Sequence, residues 1–169
     1  LSHQTRDGIT EVQVGYPSGG ATIQGYLYLP PGTDRRPGVL FNHDGTSGVM
    51  SDVRRRACDL AELGFIVFAP VYVTSAPKVG SVEVAEAELN QVLDAAGALS
   101  RHPRIDDPKL AIVGSSHGAL LSMLAVMESP QQFACLADRI GAVGGDGVQA
   151  DAVFGKDGHT SASAGGNFA

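Results

Sequence analysis

The sequence is poor in cysteine, in basic side chains and in long apolar segments. Its 169 residues include two cysteines, 12 Lys and Arg against 18 Asp and Glu, and a net charge of −6. Two cysteines are too few for a disulfide framework or a zinc site. The acidic balance argues against a nucleic acid partner, which needs a broad basic surface. No segment approaches the roughly 20 apolar residues of a membrane span.

The composition that remains is typical of one soluble globular domain, with 43% hydrophobic and 18% charged residues. A chain of this size buries roughly 70% of its unfolded surface, so it can fold without a disulfide or a metal. We expect a single domain over residues 1–169, well patterned over 10–128 and poorly patterned over 129–169. The chain starts at Leu1 without a leader pattern, which leaves a cytoplasmic or a processed, secreted product open.

Strand and helix patterns alternate along the first three quarters of the chain. A hairpin is predicted at residues 11–29 around the turn 17–20, because hydrophobic side chains alternate on both sides of it. Continuous apolar runs predict buried strands at residues 38–42, 65–70 and 109–113. Apolar residues at helical spacing predict helices at residues 51–63, 82–99 and 119–127.

This order predicts an α/β fold with a mainly parallel sheet, an N-terminal antiparallel hairpin and helices on both faces. The pattern weakens after residue 133. Two short strands are predicted at residues 139–143 and 151–154, whereas residues 160–169 show no periodicity. We therefore expect an abbreviated and loosely ordered C-terminal part.

The sequence Gly-Ser-Ser-His-Gly at residues 114–118 matches the G-x-S-x-G pattern and lies between a predicted strand and a predicted helix. A nucleophile on such a strained turn projects above the sheet, and the flanking glycines allow the close backbone approaches that the turn requires. Ser116, at the centre of the pattern, is the expected nucleophile, with its neighbour Ser115 as the rival. A plain structural turn is the alternative.

A second glycine-containing loop, residues 42–48, follows the first predicted buried strand. In an open α/β sheet the loops at the carboxyl ends of the strands line the site. Acyl transfer needs two N–H donors for the oxyanion; we expect the amide of His117 and one amide from Asp44 or Gly45. His43 is expected to order the loop by a hydrogen bond, because it precedes the nucleophile, and we place His43 and Tyr72 at the substrate pocket.

Residues 11–127 resemble the α/β-hydrolase superfamily, particularly its dienelactone hydrolase-like and prolyl-oligopeptidase-like members. The matching segments are residues 25–30, 37–45, 60–70 and 105–118. The resemblance implies a Ser-His-acid triad in the chain order nucleophile, acid, base, and an acyl-enzyme cycle without metal or organic cofactor. Dienelactone hydrolases carry Cys where this chain has Ser116, which favours a general esterase.

The resemblance also implies a base near the C-terminus. His159 follows a glycine, as in the base-bearing loop of that superfamily, and is the only His after the 114–118 motif. Asp146 is the preferred acid; the other candidates are Asp138, Asp151 and Asp157. A complete acid-to-base connection needs roughly 25 to 30 residues, but Asp146 lies only 13 before His159. The connection is then abbreviated, segments are missing, or the acid comes from elsewhere.

The sequence thus predicts a serine hydrolase that cleaves carboxylic esters, lactones or short acyl groups, with a small-molecule ester as its partner. The alternative is a catalytically silent α/β-hydrolase-like domain that binds small molecules or protein partners. A prolyl-oligopeptidase-type peptidase is a third interpretation. Nucleotide binding is disfavoured because the G-x-x-x-x-G-K-[ST] pattern is absent.

Overall fold

The computed structural model describes residues 2–4, 8–44, 49, 51–72, 82–141, 149–154 and 160–165, with side chains at residues 8–44, 49, 51–72 and 86–137. These residues form nine strands and three α-helices. The strands are β1 (Ser2–Gln4), β2 (Thr10–Ser18), β3 (Ala21–Leu29), β4 (Gly38–Asn42), β5 (Ile66–Pro70), β6 (Leu110–Ser115), β7 (Phe133–Gly141), β8 (Gln149–Phe154) and β9 (Thr160–Gly165). The helices are α1 (Ser51–Glu62), α2 (Val82–Ser100) and α3 (His117–Glu128).

The described strands form one mixed sheet in the order β1-β2-β3-β5-β4-β6-β7-β8-β9. Its centre, β5-β4-β6-β7, is parallel, and both edges are antiparallel. The parallel register pairs Asn42 at the end of β4 with Gly114 near the end of β6. The loop after β4 and the turn after β6 therefore emerge side by side.

Two core clusters lie on opposite faces of this sheet. Side chains alternate across β4, so that Leu40 joins the cluster under α2 and α3, whereas Val39 and Phe41 join the cluster under α1. The side chains of β5 alternate between the two clusters in the same way. The buried strands are apolar on both faces because helices cover both. The predicted α/β architecture, with parallel central strands, an N-terminal antiparallel hairpin and helices on both faces, is confirmed.

The C-terminal strands differ from the prediction. The short strand expected at residues 139–143 is the end of the longer β7, which begins at Phe133, and residues 160–165 form β9 where no element was predicted. Strands β8 and β9 are antiparallel because their connections are shorter than the dozen or so residues of a parallel crossover. Within the described chain, no helix is both long and apolar enough to cross a membrane.

An ion pair between the buried Glu11 and the half-exposed Arg54 joins α1 to the N-terminal hairpin. The Glu11 side chain is 4% exposed and accepts two hydrogen bonds from the Arg54 guanidinium, which also lies 5.1 Å from the centre of the Tyr26 ring. Replacing Arg54 by methionine leaves this carboxylate buried without its cation. Because the Arg54 side chain is 43% exposed and the pair is partly screened by solvent, we expect the free energy of unfolding in urea to fall by about 1–2 kcal/mol.

The matched control is Arg56→Met in the same helix. Arg56 makes a 3.7 Å pair with Asp52 at the surface, and exposed pairs of this kind contribute about 0 to 0.5 kcal/mol. Equal losses of stability in the two variants would contradict the role assigned to the Glu11–Arg54 pair.

Candidate active site

Ser116 lies in the turn between β6 and α3 and is exposed to solvent. Its φ of 52° and ψ of −116° make it the only non-glycine residue of the described chain with positive φ. Such a conformation costs about 1–3 kcal/mol and persists only where the surrounding structure enforces it. The serine hydroxyl is thus presented at the N-terminus of α3, where N–H groups lack partners within the helix and favour negative charge.

The two glycines of the motif are sterically required. A Cβ on Gly114 would lie 2.6 Å from Cα of Ala119, and one on Gly118 would lie 2.6 Å from the carbonyl oxygen of His43. Any side chain at these positions would push α3 away from β4 and β6. The close approach that the sequence pattern predicted is therefore present at both glycines.

A hydrogen-bonded chain ties the end of β4 to the first turns of α3. The amide of Asn42 donates to the Ser122 hydroxyl (2.9 Å), which donates to the carbonyl oxygen of Gly118 (2.8 Å). Asn42 and Ser122 are fully buried. Since buried polar groups are costly unless paired, these hydrogen bonds fix the spacing between Asn42, at the end of β4, and the first turns of α3, which follow Ser116.

His43, just after β4, and Tyr72, just after β5, lie against each other. Their rings stack with centres 4.0 Å apart, and the Tyr72 hydroxyl donates to the carbonyl oxygen of His43 at 2.6 Å. Burial raises the pKa of Tyr72, with Glu88 and Asp44 adding to the rise, so its hydroxyl stays protonated. Burial lowers the pKa of His43, so its imidazole is neutral at pH 7, with Nδ1 3.0 Å from the carbonyl oxygen of Asp44.

The side chain of His117 is anchored to α2. Its Nε2 lies 2.7 Å from Oε2 of Glu88, whose side chain is only 2% exposed. A carboxylate accepts, so Nε2 carries the proton of this hydrogen bond. The His117 ring also meets the Tyr72 ring edge to face, with centres 6.3 Å apart. Four side chains from four segments of the chain thus form one cluster: His43 after β4, Tyr72 after β5, Glu88 in α2 and His117 at the start of α3.

The structure brings Ser116, His117 and the start of the 42–48 loop to one edge of the sheet. His43 and Tyr72, which were predicted to line the substrate pocket, are 0% and 5% exposed. Gly45, Asp146 and His159 lie outside the described residues, as does the side chain of Asp138. Among the side chains that are described, no group of three His, Cys, Asp or Glu could hold a metal ion.

Glu88 is the one member of this cluster that sequence reasoning missed. It lies one turn before Val92, on the same helical stripe as Ala95 and Leu99, all of which are buried. A carboxylate on the apolar stripe of a helix is unusual. That position in the pattern is the signal that could have found it.

Comparison with known proteins places most of the chain in one family. The model of the prolyl oligopeptidase family matches residues 54–151, more than half of the chain. The uncharacterized peptidase YtmA of Bacillus subtilis is 29% identical over 119 residues, 70% of this chain and 46% of that protein. Acyl-coenzyme A amino acid N-acyltransferase 2 of Rattus norvegicus is 33% identical over 103 residues, 60% of this chain and 23% of that protein. The chain thus spans at most about half the length of these relatives.

Solved structures with the same fold include hydrolases. Esterase Est22 superposes with a TM-score of 0.64 at 21% identity, covering 74% of this chain and 40% of that one. An esterase of Pyrobaculum calidifontis gives 0.61 at 23% identity, covering 72% and 40%. A dienelactone hydrolase-type protein of Klebsiella pneumoniae gives 0.62 at 21% identity, covering 74% and 57%. The chain has the α/β-hydrolase fold and belongs to the prolyl oligopeptidase family.

Proposed function

We propose that this chain is a serine hydrolase that cleaves carboxylic esters through an acyl-enzyme on Ser116. The observation that carries the proposal is the backbone of Ser116: an exposed serine, held at a φ of 52° between two glycines that admit no side chain. Backbone strain of this kind is retained where it serves a site. A serine whose only role was to make a turn would not need this conformation.

The proposed cycle uses side chains and backbone groups of one domain spanning residues 1–169. Ser116 Oγ attacks the ester carbonyl while His159 takes its proton, and the oxyanion is bound by N–H of His117 and N–H of Asp44 or Gly45. His159 then returns the proton to the leaving alcohol. Water, deprotonated by His159, attacks the acyl carbonyl; the bond to Ser116 Oγ breaks, the acid leaves, and His159 returns the proton to Oγ. Asp146 orients the imidazole and stabilises its charged form.

Peptide bond cleavage is the second candidate, since the family match and the Bacillus subtilis relative both point to peptidases. The chemistry at Ser116 is the same for both substrates, and only the leaving group differs. Parallel assays with a short nitrophenyl ester and with a peptide nitroanilide separate the two. Turnover of the anilide alone would replace the esterase proposal by the peptidase.

A fluorophosphonate probe tests the proposed nucleophile directly. Because the probe reacts only with an activated serine, we expect one covalent adduct on the folded protein, on the tryptic peptide that contains Ser116. Fragmentation by mass spectrometry locates the modified residue. Heat-denatured protein should remain unlabelled, because the oxyanion donors are assembled only by the fold.

Two variants sharpen this experiment. Ser116→Ala should abolish labelling, whereas Ser115→Ala should retain it. An adduct on Ser115 would transfer the nucleophile to the neighbouring residue. Absence of any adduct on the folded wild type would favour a catalytically silent binding domain.

A further inference from the structure

The peptide group between His43 and Asp44 is held by Tyr72. The hydroxyl of Tyr72 donates to the carbonyl oxygen of this group at 2.6 Å. The His43 ring stacks on the Tyr72 ring and restrains the Tyr72 side chain from the side. No cis peptide bond occurs in the described chain, so C=O and N–H of this group point in opposite directions. The direction of the carbonyl therefore sets the direction of the Asp44 N–H.

The other proposed oxyanion donor is held from a different element. His117 is the first residue of α3, and its side chain is bound to Glu88 of α2 at 2.7 Å. Burying a carboxylate is costly even when it is paired, so packing α2 against α3 would be served better by an apolar residue at position 88. The presence of this buried carboxylate is explained if its hydrogen bond holds the His117 side chain in one orientation.

We propose that Tyr72 and Glu88 are positioning residues of the oxyanion hole, each fixing one of its two backbone donors. This inference rests on the proposed function, because the donors matter only if Ser116 forms a tetrahedral intermediate. Of the two candidates for the second donor, Asp44 and Gly45, it takes Asp44, whose N–H belongs to the peptide group that Tyr72 holds. Tyr72 orients the Asp44 N–H through the shared peptide group, and its hydrogen bond to the carbonyl also strengthens that N–H as a donor. Glu88 holds the residue whose N–H completes the pair. The contact between the Tyr72 and His117 rings links the two supports.

The test compares Tyr72→Phe with wild type in steady-state hydrolysis of a nitrophenyl ester. Loss of a whole oxyanion donor lowers kcat by about 10²- to 10³-fold; a donor that is only misaligned should lower it about 10-fold. The KM should stay within about twofold, because the ground-state carbonyl makes little use of the hole. The affinity for a boronic acid that forms a tetrahedral adduct with serine should fall about 10-fold as well.

Glu88 is tested by two substitutions that differ in hydrogen bonding. Glu88→Met keeps the length of the side chain but cannot accept from His117, and should lower kcat and boronate affinity about 10-fold. Glu88→Gln keeps an accepting oxygen and should retain kcat within about threefold. Circular dichroism and the Tm of each variant confirm folding.

Tyr16→Phe is the matched control. The Tyr16 side chain is buried in the same core cluster as Tyr72, and its hydroxyl makes no hydrogen bond with the described residues, so this variant should keep wild-type kcat and boronate affinity. If Tyr72→Phe lowers Tm but leaves kcat and boronate affinity unchanged, the positioning role is wrong and the proposed function stands. If wild-type protein hydrolyses no ester and takes no fluorophosphonate label, the proposed function fails and the inference fails with it.

Discussion

Ser116→Ala is expected to lower kcat for a nitrophenyl ester by at least about 10³-fold. Without Oγ no acyl-enzyme forms, and the remaining catalysis is what the oxyanion donors give to attack by water. The KM should change little, since the hydroxyl contributes to the reaction more than to ground-state binding. Stopped-flow mixing adds a second measurement: a burst of nitrophenol from acylation should be present in wild type and absent in the variant.

The control for this experiment is Ser115→Ala, one residue earlier, at the end of β6. It removes the neighbouring hydroxyl, and we expect kcat within about threefold of wild type. Folding should be unaffected by Ser116→Ala, because alanine meets the same positive φ as serine and leaves the flanking glycines unchanged. Ester turnover by Ser116→Ala above a tenth of the wild-type rate would show that Ser116 is not the nucleophile.

Gly118→Ala is expected to have the largest effect on stability, lowering the free energy of unfolding by about 3 kcal/mol. The added Cβ would overlap the carbonyl oxygens of Asn42 and His43. These are backbone atoms of β4 and the loop after it, so they cannot rotate away as a flexible side chain can. Helix α3 must therefore shift, and the distance between Ser116 and the backbone of Asn42 and His43 must grow. Urea unfolding measures the loss of stability, and kcat for the ester measures the effect of the increased distance.

Gly97→Ala in α2 is the matched control for this glycine. A Cβ there would lie 3.4 Å from the nearest atom, a guanidinium nitrogen of Arg101, which belongs to a flexible side chain. Alanine is favoured over glycine inside helices by about 0.5–1 kcal/mol, so this variant should be as stable as wild type or slightly more stable. A similar destabilisation in both variants would argue against the steric explanation for Gly118.

The local patterns that could be predicted from the sequence are those with strong hydrophobic or glycine signals. Strands β4 and β5 are five-residue runs buried on both faces, and the turn at Ser116 lies between a strand and a helix as the G-x-S-x-G pattern indicates. Strand β9 was missed because its sequence is built from serine, alanine, glycine and one threonine. Such small side chains give little of the amphipathic contrast that identifies a strand.

The cluster of His43, Tyr72, Glu88 and His117 could not be predicted in the same way, because its members are far apart in sequence. His43 and Tyr72 are 29 residues apart, and Glu88 and His117 are also 29 apart. Only the parallel register of β4, β5 and β6 brings these positions together. The sequence identified His43, Tyr72 and His117 as members of the site region. Their mutual contacts, and the place of Glu88 among them, depend on the fold.

The conformation of Ser116 has a consequence for how this chain can change over generations. Glycine would occupy a φ of 52° without steric cost. A chain selected for thermal stability alone would therefore be expected to acquire glycine at this position. Serine there lowers the stability of every folded molecule, whether or not substrate is present. The proposed chemistry at Ser116 is what would favour serine over glycine at this position, and lineages that lose the chemistry should be free to lose the serine first.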